Sequence, residues 1–190
     1  MKKVQLNPQT MLFPLPATLV SCQAEGFEPN IITISWIGIV CSKPPTLSIS
    51  VTPERYSHQI IRKAGEFVVN LTAERNLKAA DFCGTKSGRD VNKFEEMGLT
   101  AIPSRVISAP LIKECPVNLE CQVKRSEVLG SHEMFVAEIV ALHIDEDLLK
   151  PNGRPDLDKI MPLVYCPVAG EYRGGLTKLL SRYGEAARKK

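Results

Sequence analysis

None of the six cysteines forms a C-x-x-C pair, so the spacings of a zinc site, an iron–sulfur cluster or a redox dithiol are missing. Cys22, Cys41, Cys83, Cys115, Cys121 and Cys166 therefore read as small core residues of a reducing compartment, with Cys115 and Cys121 near enough in sequence to meet across a bend. No G-x-G-x-x-G follows a strand-like run and no Walker sequence occurs, which removes a Rossmann dinucleotide fold and a P-loop. G-x-S-x-G and H-E-x-x-H are absent too. Charge of one sign is scarce: 24 basic against 21 acidic residues leave a net +3, too little for a nucleic-acid or anionic-membrane footprint. The short basic run Arg188, Lys189, Lys190 reads as a solvated tail. No apolar stretch approaches the roughly 18 residues of a membrane span. Lys2 and Lys3 precede an apolar stretch over 11–20, and Leu19-Val20-Ser21-Cys22 resembles a lipoprotein cleavage box. However, Asn7-Pro8-Gln9-Thr10 intervenes, and Pro14 and Pro16 break the helix that an export signal prefers. The expectation is a cytoplasmic chain with no membrane and no nucleic-acid partner.

What is present suits one domain over 1–190. With 44% hydrophobic residues in 190, the chain can bury a sizeable core. Ile31 to Val40 is dense in β-branched residues and reads as one strand, with Thr33 and Ser35 on one face. Thr46 to Val51 alternates strictly: Leu47, Ile49 and Val51 face one way, Ser48 and Ser50 the other. Ser57 is a candidate N-cap for a helix over 58–64 that stops at Gly65, and 66–71 reads as a strand. Alanine-rich 74–82 predicts a helix ending at Gly84, and Asp90 a cap for a short helix over 91–97 that stops at Gly98. Val117 to Val123 alternates as a half-buried strand, 133–144 reads as a long strand covered on both faces, and 176–187 as a closing helix. Several strands with few short helices argue for an all-β barrel with helical insertions.

Three polar clusters carry the chemistry. The first is Asn30 with Thr33, Ser35 and Trp36; the second Ser48 and Ser50 with Arg55 and Ser57; the third Thr85-Lys86-Ser87-Gly88-Arg89 with Lys93. A phosphate needs several N–H and O–H donors plus a cation, and Arg55 with Ser57 at a helix start supplies both. A conjugated ring needs a flat slot with polar partners at its edge, which strands carrying inward Ser and Thr provide. Each cluster alone also fits a solvated face.

The order of these pieces resembles the flavin reductase-like, FMN-binding split-barrel family, and within it the flavoredoxin-like branch. The resemblance rests on 29–36, on 45–51 with Arg55-Tyr56-Ser57, on 65–70, on 87–94, and on Gly130-Ser131-His132 leading into 135–140. It covers about 15–172. It implies a six-stranded antiparallel split β-barrel with short helical insertions and a C-terminal helix, assembled as a homodimer with FMN near the dimer interface. By the same resemblance Thr33, Ile34, Ser35 and Trp36 line the isoalloxazine ring, with Asn30 beside them. Ser48, Ile49 and Ser50 meet the ribityl chain and phosphate, and Arg55, Ser57, Ser87 and Lys93 complete the phosphate site. His132 stands where family reductases dock nicotinamide, although Ala137 occupies a position where many relatives have Gly. The implied function is passage of electrons from NADH, NADPH or a redox partner through FMN to free flavin or another acceptor. The alternatives are an FMN electron carrier between proteins with no nicotinamide site, and a non-catalytic FMN module. Side chain by side chain, other roles stay open: Trp36 as a core aromatic, His132 as a turn histidine, Lys93 as a helix-surface lysine, and His58 and His143 as structural or exposed.

Overall fold

The computed structural model describes residues 1–176 and 178–181. In chain order the elements are β1 (Leu15–Pro16), β2 (Thr18–Cys22), β3 (Asn30–Ile34), β4 (Ile37–Ser42), β5 (Pro45–Val51), α1 (Tyr56–Ala64) and β6 (Glu66–Leu71). There follow a 3-10 turn (Glu74–Asn76), α2 (Leu77–Thr85), α3 (Lys93–Met97), β7 (Ala101–Ile102), β8 (Leu111–Ile112), β9 (Val117–Leu129) and β10 (His132–Ile144). A second 3-10 turn (Glu146–Leu148), α4 (Leu157–Ile160), β11 (Val164–Cys166) and β12 (Glu171–Arg173) complete the set.

The main sheet is antiparallel, with strand order β3-β2-β6-β9-β10-β5-β4. β3 and β4 are neighbours in the chain yet lie at opposite edges of this sheet. The run read from sequence as one strand over 31–40 is therefore two strands, broken at Ser35 and Trp36. A straight strand could not pair with β2 at one edge and β5 at the other. Counted as one bent strand, 30–42 gives the six strands of a split barrel; counted by its halves it gives seven. The Ser50 amide donates to the Trp36 carbonyl at 2.9 Å and fixes the corner.

Alternation fills the interior as binary patterning requires. Leu47, Ile49 and Val51 of β5 are buried with Val20, Ile60, Ile61, Phe67, Val69, Cys121 and Phe135 in the main core. Ser48 and Ser50 face the other way, half-buried. α1 lies over this core and stops at Gly65, whose φ of 69° is the left-handed conformation that glycine adopts without a Cβ penalty.

Four expectations are corrected. Arg55, not Ser57, holds the N-cap position of α1; Ser57 lies inside the helix, its hydroxyl accepting from Asn30 Nδ2 at 2.8 Å. Asn92, not Asp90, caps α3, accepting from the Phe94 and Glu95 amides; Asp90 and Val91 belong instead to the preceding turn, their amides bonded to the Ser87 carbonyl. α2 runs through Gly84 instead of ending there: a Cβ at Gly84 would lie 3.3 Å from Thr33 Cβ, so this glycine permits close packing on β3. β10 is buried on both faces only over Phe135 to Ala137; beyond that its residues are at most half-buried, and Leu142 is 61% exposed. Of the helix expected over 176–187, Leu176 and 178–181 are not helical, and the rest lies outside the described residues.

Two histidines outside the site do structural work. His58 Nε2 meets Glu133 at 2.7 Å inside the barrel, and His143 Nε2 meets Glu120 at 2.6 Å. Glu120 is fully buried and accepts the amides of Arg105, Val106 and Ile107 at 2.7–3.1 Å, tying that loop to β9. Burial pushes the Glu120 carboxyl up, but the Arg105 amide, His143 and the Val106 and Ile107 amides outweigh it and hold the group below its ordinary 4.5. Glu133 is held low as well, by the Ser126 hydroxyl against the opposing effect of burial, with help from His58 and Arg62.

Both carboxylates bind protons less readily folded than unfolded, so their stabilisation is complete above the unfolded value and is lost as pH falls through the depressed folded one. Glu120→Gln keeps the shape but loses the charge-assisted bonds. It is expected to cost about 2–3 kcal/mol at neutral pH and to flatten the fall in melting temperature between roughly pH 6 and pH 3. Circular dichroism melts of both proteins would show this; equal acid slopes would refute it.

Candidate functional site

The barrel corner opens into a cleft of about 500 Å³. One wall is the run from Ile32 to Trp36, and Ser50, Val51, Thr52 and Arg55 follow it round from β5. Asp81, Gly84 and Thr85 come from α2, His132 from the start of β10, and Tyr165, Gly170 and Tyr172 from the C-terminal hairpin. At Arg55 and Ile32 the cleft meets a smaller cavity of about 230 Å³, which also collects Asn30, Ser57, Lys86, Ser87, Arg89 and Lys93. Three polar clusters far apart in sequence thus line two adjoining hollows that share Arg55 and Ile32.

Trp36 is 40% exposed, so the core-aromatic reading is excluded. Its indole lies nearly parallel to the His132 imidazole, with planes 7° apart and ring centroids 6.3 Å apart. The Ser131 hydroxyl contacts His132 Nδ1 at 2.9 Å and fixes the ring's orientation at the tight β9–β10 turn. His132 is therefore a turn histidine that also lines the cleft. Ser35 and Ile34 are buried in the wall; the Thr33 hydroxyl donates to the Ala80 carbonyl at 2.5 Å, so its proton is spent on α2.

Lys93 is 4% exposed, which overturns the helix-surface reading. Its ammonium donates to the carbonyls of Ile31 at 2.7 Å and Cys83 at 2.8 Å, leaving one of three N–H bonds for the cavity it lines. Burial pulls its pKa below the usual lysine value, partly offset by Cys83 and Cys22. Arg55 reaches across to the Gly84 carbonyl at 3.3 Å, and Asn30 bonds to Ser57. Two of the sequence candidates fall outside both hollows. Ile49 is wholly buried with its side chain in the core, and Ser48, one alternation step beyond Ser50, lines neither volume.

Several lining residues were not singled out from sequence. Tyr165 and Tyr172 pack at 5.2 Å, and burial, with Asp81 and Tyr165 nearby, pushes the Tyr172 phenol up to about 12, so it stays a donor. Both come from a hairpin remote from the other clusters, and only their type in a chain with four tyrosines hinted at them. Tyr56 had a signal, its place between Arg55 and Ser57. Gly88, already part of the third polar cluster, is closely hemmed in: a Cβ there would sit 2.1 Å from Asn30 Oδ1 and 2.9 Å from Tyr56 Cδ1.

Residues 10–175 match the profile of the flavin reductase like domain. The chain belongs to the flavin reductase-like family. An uncharacterized protein of Archaeoglobus fulgidus is 35% identical over 158 residues, 83% of this chain and 87% of that one. The flavoredoxin of Desulfovibrio vulgaris (Miyazaki F) superposes with a TM-score of 0.92 at 31% identity, covering 99% of this chain and 100% of its own. A flavoredoxin from Methanosarcina acetivorans gives 0.90 at 28%, with 98% of each chain covered. The mainly β split barrel is thus the flavin reductase-like fold.

Gly88→Ala must push the Asn30 amide or the Tyr56 ring aside and is expected to cost about 1–3 kcal/mol, the range for overpacking. Gly38→Ala, where nothing lies within 4 Å of the new methyl, is expected to stay within about 0.5 kcal/mol of the parent. Chemical denaturation of the two variants side by side is the check; equal midpoints would contradict the crowding at Gly88.

Proposed function

We propose that the protein binds FMN, ring in the larger cleft and phosphate in the smaller cavity, and passes electrons from NADH or NADPH through it to free flavin or a redox protein. The observation that carries this reading is the joining, at Arg55, of a slot walled by Ser35, Trp36 and His132 to a cavity ringed with cations and hydroxyls. The donor set fits the group: a phosphate dianion takes several N–H and O–H donors, and Arg55, Lys86, Lys93, Ser57 and Ser87 surround a volume of suitable size. Likeness to two flavoredoxins supports a bound flavin.

Bound FMN would supply a ring able to take a hydride and give up electrons to a second substrate. The chain's own part is placement. Ser35 and the 33–36 backbone hold one edge of the slot, Ser50 and Thr52 the side leading to the phosphate, and Tyr172 keeps its proton for use as a donor. His132, stacked on the exposed Trp36 at the mouth, is where a nicotinamide would rest. Lys93 anchors β3 to α2 and turns its remaining N–H bond toward the phosphate, which ties cofactor affinity to the packing of two elements.

A second copy of the chain is part of this reading. Edge strand β4 leaves Ile39 70% and Val40 53% exposed, and the end of β9 leaves Val128 at 67%. An unpaired edge with apolar side chains is the kind of surface that natural proteins cover. Six thiols without a disulfide suit the cytoplasm.

The purified protein is expected to be yellow, or to take up about one FMN per chain, and to scatter light as a dimer. Trp36, the single tryptophan, should be quenched by FMN and recover on its removal. Lys93→Ala is expected to weaken FMN binding roughly ten- to a hundredfold, the effect of losing a bond to a charged group. His132→Ala should leave FMN titration and Trp36 quenching intact while slowing reduction by NAD(P)H several-fold to about tenfold. Stopped-flow reduction is the deciding measurement: if neither nicotinamide reduces the unmutated protein, it is an electron carrier served by protein partners.

A further inference from the structure

We infer that Arg89 latches the 86–89 loop over the phosphate end of the site, and so makes the site take a flavin ending in a phosphate monoester over one that continues as a dinucleotide. The inference rests on the flavin reading above and adds to it a residue that sets specificity.

Size is the first observation. The phosphate-end cavity, at about 230 Å³, lies below the roughly 300 Å³ at which pockets begin to hold drug-sized groups. A phosphate fits; the adenosine monophosphate that FAD carries beyond it needs further room. The 86–89 loop lines this cavity, and how it is held bears on whether the cavity opens further.

The loop's own turn bonds, from the Asp90 and Val91 amides to the Ser87 carbonyl and from the Arg89 amide to Ser87 Oγ, shape it without tying it to anything opposite. Arg89 makes the crossing. Its Nη1 donates to the Glu54 carbonyl at 3.0 Å, 35 residues away in sequence, and its guanidinium lies 5.2 Å from the centroid of the Tyr56 ring. Tyr56 in turn packs beside Phe27 at 6.1 Å, so the loop is fastened to an element rooted in the barrel. Gly88 lets the loop close fully, since its missing Cβ leaves room for Asn30 Oδ1 and Tyr56.

The Arg89 guanidinium is thus committed to Glu54 and Tyr56, while Arg55, Lys86 and Lys93 remain for the phosphate charge. A planar fork stacked on a ring is a role that lysine does not fill. Arg89 is also exposed, so its replacement leaves the core packing in place.

The test is titration of the unmutated protein, Arg89→Ala and Arg89→Lys with FMN and with FAD, followed by flavin fluorescence. The unmutated protein is expected to prefer FMN by about tenfold or more. In both variants the FMN-to-FAD preference should shrink by about fivefold, the size of one exposed cation–π contact, with FAD affinity held or raised. Equal loss of both flavins in Arg89→Ala, restored by Arg89→Lys, would make Arg89 a simple charge and overturn the latch. Equal binding of FMN and FAD by the unmutated protein would overturn it as well. Failure of the unmutated protein to bind either flavin would instead overturn the flavin reading beneath it, a result distinct from the other two.

Discussion

The break at Ser35 and Trp36 is the constraint on which the site depends. Thirteen residues, from Asn30 to Ser42, supply both edges of one sheet, so the chain must turn sharply between them. The Ser50 amide holds the corner through the Trp36 carbonyl, and the turn forces the indole outward beside His132. Closing the barrel and building the cleft wall are therefore the same act. A side chain that would be an exposure liability on an ordinary strand becomes the surface against which a flat ligand can lie.

Behind the wall, buried polar groups do the joining. Asn70, fully buried, donates to the Leu19 carbonyl and Ser21 hydroxyl and accepts from the Ile112 amide and the Asn118 side chain, linking β2, β6, β8 and β9. Lys93 performs the same office between β3 and α2, and Asn30 with Ser57 between β3 and α1. Among the described residues no buried side-chain nitrogen or oxygen lacks a partner. An unpaired one would cost about 1–3 kcal/mol, so none of these junctions carries that penalty. They join the five separate segments that assemble the site.

How much of this was legible follows from the range of the forces involved. The β5 alternation and the glycine that ends α1 act within a few residues, and both were readable. So was the ordered set of polar clusters, because type and spacing are local. The strand break was not: nothing in Ile31 to Val40 opposes extension, and only pairing with β2 and β5 at opposite edges imposes the corner. Ser57 carries the type of a cap, yet Asn30, 27 residues earlier, claims its hydroxyl. Lys93 carries the type of a surface residue, yet two carbonyls pull it inside. Tyr165 and Tyr172 reach the cleft by a fold-back of the chain end that leaves no local trace.

The cysteines bear on where electrons can go. Burial pushes the thiols of Cys22, Cys115 and Cys121 up to about 12 and that of Cys83 to about 11. At neutral pH all four stay protonated, and the thiol, unlike the thiolate, is a poor nucleophile. Cys22 and Cys83 also flank Lys93, whose charge lowers both, but desolvation dominates in each. Cys115 packs with Cys83 in one apolar cluster while Cys121 belongs to the main core, so Cys115 and Cys121, near in sequence, pack in different clusters. Four buried thiols held protonated in this way serve as packing residues, not as nucleophiles. That leaves the hollow at the barrel corner, with its aromatic mouth and cationic end, as the site we propose for the flavin.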